Sequence, residues 1–366
     1  MRNLSYLLII IMLSGCISEY NHKGIEEVSD LLVMEGKITD DESVFSIRRS
    51  VGLSEKLLGR ETVDDAIVYV EKDNGEKLQG VFNGGGTYSV STGVLDPKVK
   101  YCLYVKINEE EYRSELLYPI FTSEIDSITV YKKERGEPVH VRINSRDTKD
   151  QSRYYLWSYK ETWEMTATLF AEYGYLNGSN GFFTLANSEN IYHCWGRDSS
   201  QALLLGTSDK LSENVISQKT IAEIVSNSDK LSVLYYIAVE QNQIRKEAFD
   251  YFSNIQRNVS QTGGIFAAVP SEMKGNIKCV TKPNLPVIGY IDVTTTTRNA
   301  LYIPLNMSLY EPSINYCIDS IKYDDSDGYS IYTYMPRTYA PQECLDCRMK
   351  YRATKDRPDF WPNEHY

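Results

Sequence analysis

The sequence predicts a mainly β protein with an N-terminal antiparallel β-sandwich and a larger β-rich domain that carries one or two helices. In residues 28–118, apolar and polar side chains alternate in short runs separated by turn signals, which is typical of sandwich strands. Similar runs dominate residues 119–366, and helical spacing is clear only near residues 245–259. A length of 366 residues also favours two domains, because one domain usually takes about 150 residues.

The N-terminus has the pattern of an export signal. One Arg precedes a short apolar run, Leu4 to Leu13, which is too short to span a membrane. Leu13-Ser14-Gly15-Cys16 resembles the lipobox of bacterial lipoproteins, in which the chain is cut before the Cys and the Cys is acylated. We therefore expect residues 1–15 to be a lipoprotein signal peptide, Cys16 to be the lipid anchor and residues 16–27 to be a polar tether. The alternative is an ordinary cleaved signal followed by an incidental Cys.

The first sandwich is predicted from seven runs: LLVMEGKIT, VFSIRRS, DAIVYVEKD, KLQGVFN, GTYSV, KVKYCLYVKI and EEYRSELLY. Asp73-Asn74-Gly75 indicates a tight hairpin, because Asn-Gly accepts the positive φ angles of a type I′ turn. In the sixth run the apolar positions alternate from Val99 to Ile107. Cys102 falls on the opposite face and is the best candidate for a free thiol.

The second domain begins with strands at IDSITVYKK, PVHVRINSR and the long aromatic run RYYLWSYKETWEMTATLF. Another strand, KLSVLYYIAVEQNQI, is followed by the clearest helix, roughly Arg245 to Val259. Its apolar positions share one side at helical spacing, which predicts a packing face: Ala248, Phe249, Phe252, Ile255 and Val259. ENVISQKTIAEIVS is a weaker helical candidate.

Composition excludes several classes of function. The formal net charge is −11 and no run of Lys or Arg could follow a phosphate backbone, so nucleic-acid binding is not expected. Only four His are present, at spacings that match no familiar metal motif, and a zinc site of four Cys would need a second C-x-x-C. We predict no metal and no cofactor.

Export makes disulfides the leading interpretation of the remaining cysteines. Five are candidates for disulfides: Cys194, Cys279, Cys317, Cys344 and Cys347. The C-x-x-C of Cys344 and Cys347 is interpreted as a structural staple for the C-terminal tail, with a redox centre and a metal site as alternatives. Six cysteines allow 15 connectivities, so the sequence does not specify the pairing.

No sequence motif makes a positive case for catalysis. The nucleophile elbow, the P-loop, the zincin motif and the dinucleotide fingerprint are all missing from the sequence. Asp198 lies near His193 in sequence, but a triad is defined by geometry, so a polar turn is the preferred interpretation. No catalytic residue is predicted. Trp157, Trp163 and Trp195 could stack on a ligand, with burial in the core as the alternative.

Several segments together resemble a Bacteroidota lipoprotein family catalogued as domain of unknown function 4249. They include LLVMEGKITDD, VEQNQIRKEAFDYFSNIQRN, GGIFAAVPSEMKGNI, VIGYIDV and CLDCRMKYRATKDRPDFW. The resemblance implies an outer-membrane lipoprotein whose partner is a TonB-dependent receptor in nutrient uptake. It brings no activity, and so no catalytic residue. The N-terminal sandwich is also similar to immunoglobulin-like and transthyretin-like modules, which is an analogy of fold and does not identify a function.

These observations lead to three functional hypotheses. The first is a non-catalytic accessory lipoprotein of a TonB-dependent uptake system, anchored in the outer membrane by Cys16. The second is a structural or adhesive lipoprotein exposed on the cell surface, and the third is a hydrolase without a recognisable motif. The sequence does not indicate which face of the outer membrane is occupied, and it names neither the ligand nor the transporter.

Overall fold

A computed structural model describes residues 31–50, 61–175, 182–185, 191–261, 275–312, 316–321, 332–335 and 338–363. The predicted signal peptide, Cys16 and the tether lie outside the described residues. Within the described ranges, no helix is both long enough and apolar enough to cross a bilayer. The protein is mainly β, as predicted, and its longest helix matches the predicted position.

The first sandwich is built mainly from residues 32–114. Its seven leading strands are β1 (Leu32–Ile38), β2 (Asp41–Arg49), β3 (Ile67–Lys72), β4 (Lys77–Gly84), β5 (Thr87–Gly93), β6 (Tyr101–Ile107) and β7 (Glu110–Ser114). They follow one hydrogen-bonded path in the order β7-β6-β3-β4-β5-β2-β1. The path curls, so that Val68 and Val105 near one end face Met34 and Phe45 near the other in a single core. Period-two alternation creates this core, because most of these strands, β4 excepted, bury one apolar face.

The middle of the chain supplies most of the second sandwich. Its strands are β8 (Ile125–Tyr131), β9 (Val139–Arg146), β10 (Tyr154–Thr166), β11 (Tyr173–Tyr175), β12 (Phe182–Thr184), β13 (His193–Ser199), β14 (Leu204–Thr207), β15 (Val215–Ile224) and β16 (Leu234–Ile244). Helix α1 (Lys246–Gln261) follows directly. Residues 215–224 form a strand, so the weaker helical prediction there is wrong. They pair with β9, and this tertiary pairing overrides local helical spacing.

The last part of the chain contributes short strands to three of the four sheets. Its elements are β17 (Ile277–Cys279), β18 (Val287–Ile288), β19 (Asp292–Val293), β20 (Thr297–Pro304), α2 (Tyr316–Asp319), β21 (Tyr332–Met335), β22 (Thr338–Tyr339), α3 (Gln342–Leu345) and β23 (Ala353–Thr354). A six-stranded sheet has the order β20-β16-β10-β13-β23, with β14 also paired to β10. It packs on the three-stranded sheet β15-β9-β8 around a second core. A four-stranded sheet, β12-β11-β21-β22, forms a small module at the side.

The chain returns to the first sandwich after leaving it. β17 pairs with β7, while β18 and β19 pair in parallel with β1. The prediction placed all residues from 119 onward in the second domain, and the structure differs here because strand pairing can join segments that are far apart in sequence. Gly289 makes the crossing possible: its φ is +149°, and a Cβ there would lie 2.1 Å from the Met34 carbonyl oxygen.

Candidate binding cleft

A cleft of about 520 Å³ lies where the two sandwiches meet. One wall is the turn between β1 and β2, and the floor is the outer face of the six-stranded sheet. Side chains alternate along β10, so Tyr155 and Trp157 point into the second core while Leu156 and Lys160 line the cleft. Because ligand sites favour domain junctions, this cleft is the leading candidate for a functional site.

Three consecutive amide side chains, Gln241, Asn242 and Gln243, hold the junction together, and we call them the amide ladder. All three are buried. The Gln241 side-chain oxygen accepts a hydrogen bond from Trp157 Nε1 at 2.8 Å, and its nitrogen donates to the Ser123 carbonyl at 2.8 Å. Gln243 binds the same residue, accepting from the Ser123 backbone N–H at 2.7 Å. The chain segment around Ser123 joins the two sandwiches. The amide ladder therefore holds this segment against the middle of the six-stranded sheet.

Asn242 carries the amide ladder across to the first sandwich. Its Oδ1 accepts from Lys37 Nζ of β1 at 2.5 Å, while its Nδ2 donates to the Thr296 hydroxyl at 2.8 Å. The Lys37 amine is enclosed at the bottom of the cleft. Burial lowers its pKa, and the charge of Glu240 only partly offsets that effect.

A second contact braces the junction next to the cleft. The Arg245 backbone N–H donates to Asp292 Oδ2 at 2.8 Å, and its guanidinium pairs with the same carboxylate and reaches the Tyr118 carbonyl. Asp292 is buried, and burial raises its pKa although Arg245 favours the charged form. Arg245 begins the helical region and Asp292 lies in β19, so this pair ties the second sandwich to the segment that returned to the first.

The floor of the cleft carries cations arranged around one carboxylate. Glu240 accepts a hydrogen bond from Arg298 Nε at 3.0 Å. Burial opposes ionisation of Glu240, but the Arg298 hydrogen bond and the charges of Lys37, Arg298 and Lys160 outweigh it and hold the pKa of Glu240 below its usual range. Lys160 and Arg298 are both exposed to solvent. Their charges remain accessible to a ligand.

The wall that the first sandwich contributes, between β1 and β2, is an acidic turn of Asp40, Asp41 and Glu42. Asp40 is held in place, because its Oδ1 accepts from the Thr296 backbone N–H at 3.0 Å. Asp41 and Glu42 are exposed. Asp41 has φ +64°, a left-handed conformation that Asp tolerates better than most residues and that aims the turn at the cleft. Carboxylates of the first sandwich and cations of the sheet therefore line the same cleft.

A second, more open groove of about 650 Å³ continues along the same sheet face. Lys160 lines both, so the groove begins where the cleft ends. Its far end holds an aromatic cluster in which the Tyr236 ring lies 4.6 Å from Tyr302 and 4.9 Å from Phe360. Arg197 and Arg352 stand beside these rings, and Arg352 pairs with Asp198.

The C-terminal tail forms the rim of this groove. Trp361 is buried and donates from Nε1 to Glu164 Oε2 at 2.8 Å, while His193 Nδ1 lies 2.8 Å from the other oxygen of Glu164. Another buried carboxylate, Glu161, accepts from Tyr235 and Lys230 at 2.6 and 2.5 Å. Glu164 holds the tail on the sheet, and Glu161 joins two strands of the sheet to the turn that contains Lys230. His193 contacts Glu164, and the side chain of Asp198 pairs with Arg352.

The predicted stacking tryptophans have different environments. Trp157 and Trp163 are 1% and 2% exposed and lie in the second core, which excludes them from ligand stacking. They were predicted because an aromatic run in a strand does not show which face meets solvent. Trp195 is half-buried, outside the cleft and the groove described above. The exposed rings beside the groove are instead Tyr302 and Phe360, 39% and 53% exposed.

The cysteines of the C-x-x-C bond to separate partners. Cys194 pairs with Cys347, and Cys317 with Cys344. Cys279, predicted as a disulfide candidate, is a buried free thiol in the first core. Cys102 is the other free thiol among the described residues, and it lies on the opposite face of the same sheet. The sheet itself therefore separates these two thiols. Burial raises the pKa of Cys102 to about 11.

Sequence reasoning missed the cleft residues Lys37, Glu240 and Arg298. The available signal was the polar run Glu240 to Gln243 inside an otherwise apolar strand. Buried amides need partners, so such a run indicates a polar junction. Among the residues described, no group of three or more His, Cys, Asp or Glu side chains could hold a metal ion.

A family described as Domain of unknown function (DUF4249) matches residues 17–300. No curated protein matches the chain.

Proposed function

The chain belongs to the DUF4249 family, and we propose that it is a non-catalytic, lipid-anchored accessory subunit of a TonB-dependent uptake system in the outer membrane. Its task there is to hold a ligand in the cleft between the sandwiches and present it to the receptor. Cys16 provides the lipid anchor in this proposal.

One observation carries the binding role: charged side chains of both sandwiches line a cleft whose walls are locked together. Asn242 joins Lys37 to the sheet, and Arg245 joins Asp292 to the helical region. A pre-formed site loses little entropy when a ligand binds, because its walls are already ordered. Support for a non-catalytic role comes from Glu161 and Glu164, which are buried in contacts that hold the fold.

The proposal is tested by purifying the native lipoprotein from outer membranes in mild detergent and identifying bound proteins by mass spectrometry. We expect a TonB-dependent receptor in near-equal amount. An unrelated outer-membrane lipoprotein purified in the same way serves as the control. Recovery of the chain alone, with the receptor present in the starting membranes, would overturn the accessory role.

A surface observation favours a second candidate, a structural or adhesive lipoprotein. On the outer face of the first sandwich, Val44 and Val81 flank Ser89 in neighbouring strands and are 47% and 64% exposed. Val44 also lines the edge of the cleft, and exposed apolar side chains on a sheet face suit adhesion. This candidate predicts that protease digests the protein on whole cells and that deletion abolishes attachment while uptake is unchanged.

A further inference from the structure

We infer that the cleft and the groove form one continuous trough that binds a short, extended peptide with free ends. This inference rests on the proposed ligand-binding role of the cleft and assigns the chemical class of the ligand. The trough runs along β10 from Leu156, in the cleft, to Thr162, in the groove, with Lys160 in both. Six residues of strand span about 20 Å. That is the length of an extended peptide of about six residues.

The ends of the trough differ in charge, which gives the bound peptide a direction. At the cleft end, the acidic turn presents the exposed carboxylates of Asp41 and Glu42. At the groove end, Arg197 and Arg352 are exposed. Asp198 pairs with Arg352 and the exposed Asp359 also lines the groove, so Arg197 is the cation to which we assign the ligand's carboxylate. A free peptide has a cationic amino terminus and an anionic carboxyl terminus. The amino terminus belongs at the acidic turn, and the carboxylate belongs near Arg197.

The aromatic side chains distinguish a peptide from a sugar. Sugar sites commonly offer an open ring face, but the rings at the cleft end pack against protein: Tyr290 is buried and contacts Tyr251 at 5.8 Å between centroids, and Phe252 packs in the same small core. In the described part of the trough, the exposed ring is at the groove end, where Phe360 lines the groove next to Tyr302 and could receive one apolar side chain. One apolar site at one end suits a peptide with a large C-terminal residue.

The middle of the trough favours small side chains in the ligand and does not require a particular peptide sequence. Its floor is made of Lys160, Ala238 and Glu240, from neighbouring strands of the sheet. Glu240 is engaged by Arg298, which leaves the exposed Lys160 to contact peptide carbonyl oxygens. Small side chains in the central positions of the ligand fit such a floor. The trough therefore recognises the two ends of the peptide rather than its centre.

The experiment is isothermal titration calorimetry on the full chain in mild detergent. The probe is a hexapeptide with lysine first, phenylalanine last, glycine or serine between them, and both termini free. A peptide with an acetylated amino terminus and glutamate first should bind at least tenfold more weakly. An uncharged linear hexasaccharide should not bind. Equal affinity for both peptides, no peptide binding at 1 mM, or preference for the saccharide would each overturn the assignment.

Two sets of variants locate the binding. The double variant Asp41→Asn with Glu42→Gln keeps the turn geometry, because Asn also tolerates positive φ, and should weaken binding about 2- to 30-fold. Its matched control, Glu134→Gln with Glu137→Gln, lies in the exposed turn between β8 and β9 and should change nothing.

At the other end, Phe360→Ala should weaken binding about 2- to 10-fold. Phe170→Ala is its control, because Phe170 is 44% exposed outside the trough. Unchanged melting temperatures show that the variants remain folded. Tight peptide binding that survives both trough variants would place the peptide elsewhere and overturn the inference. If the peptide does not bind but the receptor still co-purifies, only the assignment of a peptide ligand is rejected. If the peptide binds but no receptor co-purifies, only the accessory role is rejected.

Discussion

Gln241 offers the sharpest test of the amide ladder that joins the two sandwiches. Its side chain is fully buried, accepts from Trp157 Nε1 and donates to the Ser123 carbonyl and to Ser145 Oγ at 3.0 Å. Gln241→Leu keeps the volume but leaves Trp157 Nε1 without its acceptor. The Ser123 carbonyl still accepts from Thr297 Oγ1 at 2.9 Å, and Ser145 Oγ still donates to the Glu124 carbonyl at 2.8 Å. A buried polar group left unpaired costs about 1–3 kcal/mol. Each of the two other lost hydrogen bonds adds about 0.5–1.5 kcal/mol, so after some relaxation we expect the free energy of unfolding to fall by about 2–4 kcal/mol.

Gln241→Glu adds a dependence on pH that a packing defect would not produce. A carboxyl group at this buried position should have a folded-state pKa raised above its unfolded value of about 4.3. The neutral acid can still accept from Trp157 and donate to Ser123. Stability should therefore be greatest below the unfolded pKa and should be lost as pH rises through the folded pKa. Guanidinium unfolding of variant and wild type at pH 4 and pH 8 measures the difference.

The control is Gln79→Leu, at an exposed position in β4, which should change stability by no more than about 0.5 kcal/mol. A cost below about 1 kcal/mol for Gln241→Leu would refute the reasoning about unpaired groups. A difference between Gln241→Glu and wild type that is equal at both pH values would show that the carboxyl group is not held in the buried amide position.

Two further predictions concern the tail. Replacing both cysteines of the Cys194–Cys347 bond with Ala should cost more stability than the same change at Cys317–Cys344, because the sequence separations are 153 and 27. The chain entropy of the unfolded state gives losses of about 5 and 3.5 kcal/mol. Guanidinium unfolding of the two double variants measures which loss is larger. Non-reducing peptide mapping that finds Cys344 bonded to Cys347 would contradict both pairings. Asp346→Asn should reduce the loss of folding stability that accompanies a fall in pH. Burial raises the pKa of Asp346, but hydrogen bonds from Arg348 outweigh this effect and lower the pKa. The stability that this carboxylate contributes is present above its unfolded pKa of about 3.9 and lost as pH falls through the folded pKa. A variant whose free energy of unfolding falls with acid as steeply as that of the wild type would refute the assignment.

Local periodicity predicted the parts of the fold that depend on neighbouring residues. The helix predicted over Arg245 to Val259 is observed at Lys246–Gln261, because its apolar positions lie at helical spacing on one side. Strand β6 places Cys102 away from the first core, as alternation requires. These features need only the geometry of one element.

Long-range pairing was beyond prediction for a physical reason. Nothing local to Ile277–Cys279 distinguishes pairing with β7 from pairing with a strand of the second domain. The same holds for the cysteines, because two neighbours in a C-x-x-C can each bond to a partner elsewhere in the chain. Burial of Trp157 depended on which face of β10 the three-stranded sheet covers. The cleft shares this difficulty, since Lys37 and Asn242 meet only after both sandwiches have formed.

The same residues that make the cleft also make it rigid, and this limits how the protein can work. Lys37 contributes its charge to the floor and its hydrogen bond to the amide ladder, so moving the walls apart would break a buried contact of a charged group. Closure around a ligand by a hinge at this junction would also disturb the Arg245–Asp292 pair. In the proposed binding role we therefore expect the ligand to bind to a fixed shape, because neither junction contact can open without losing a buried partner.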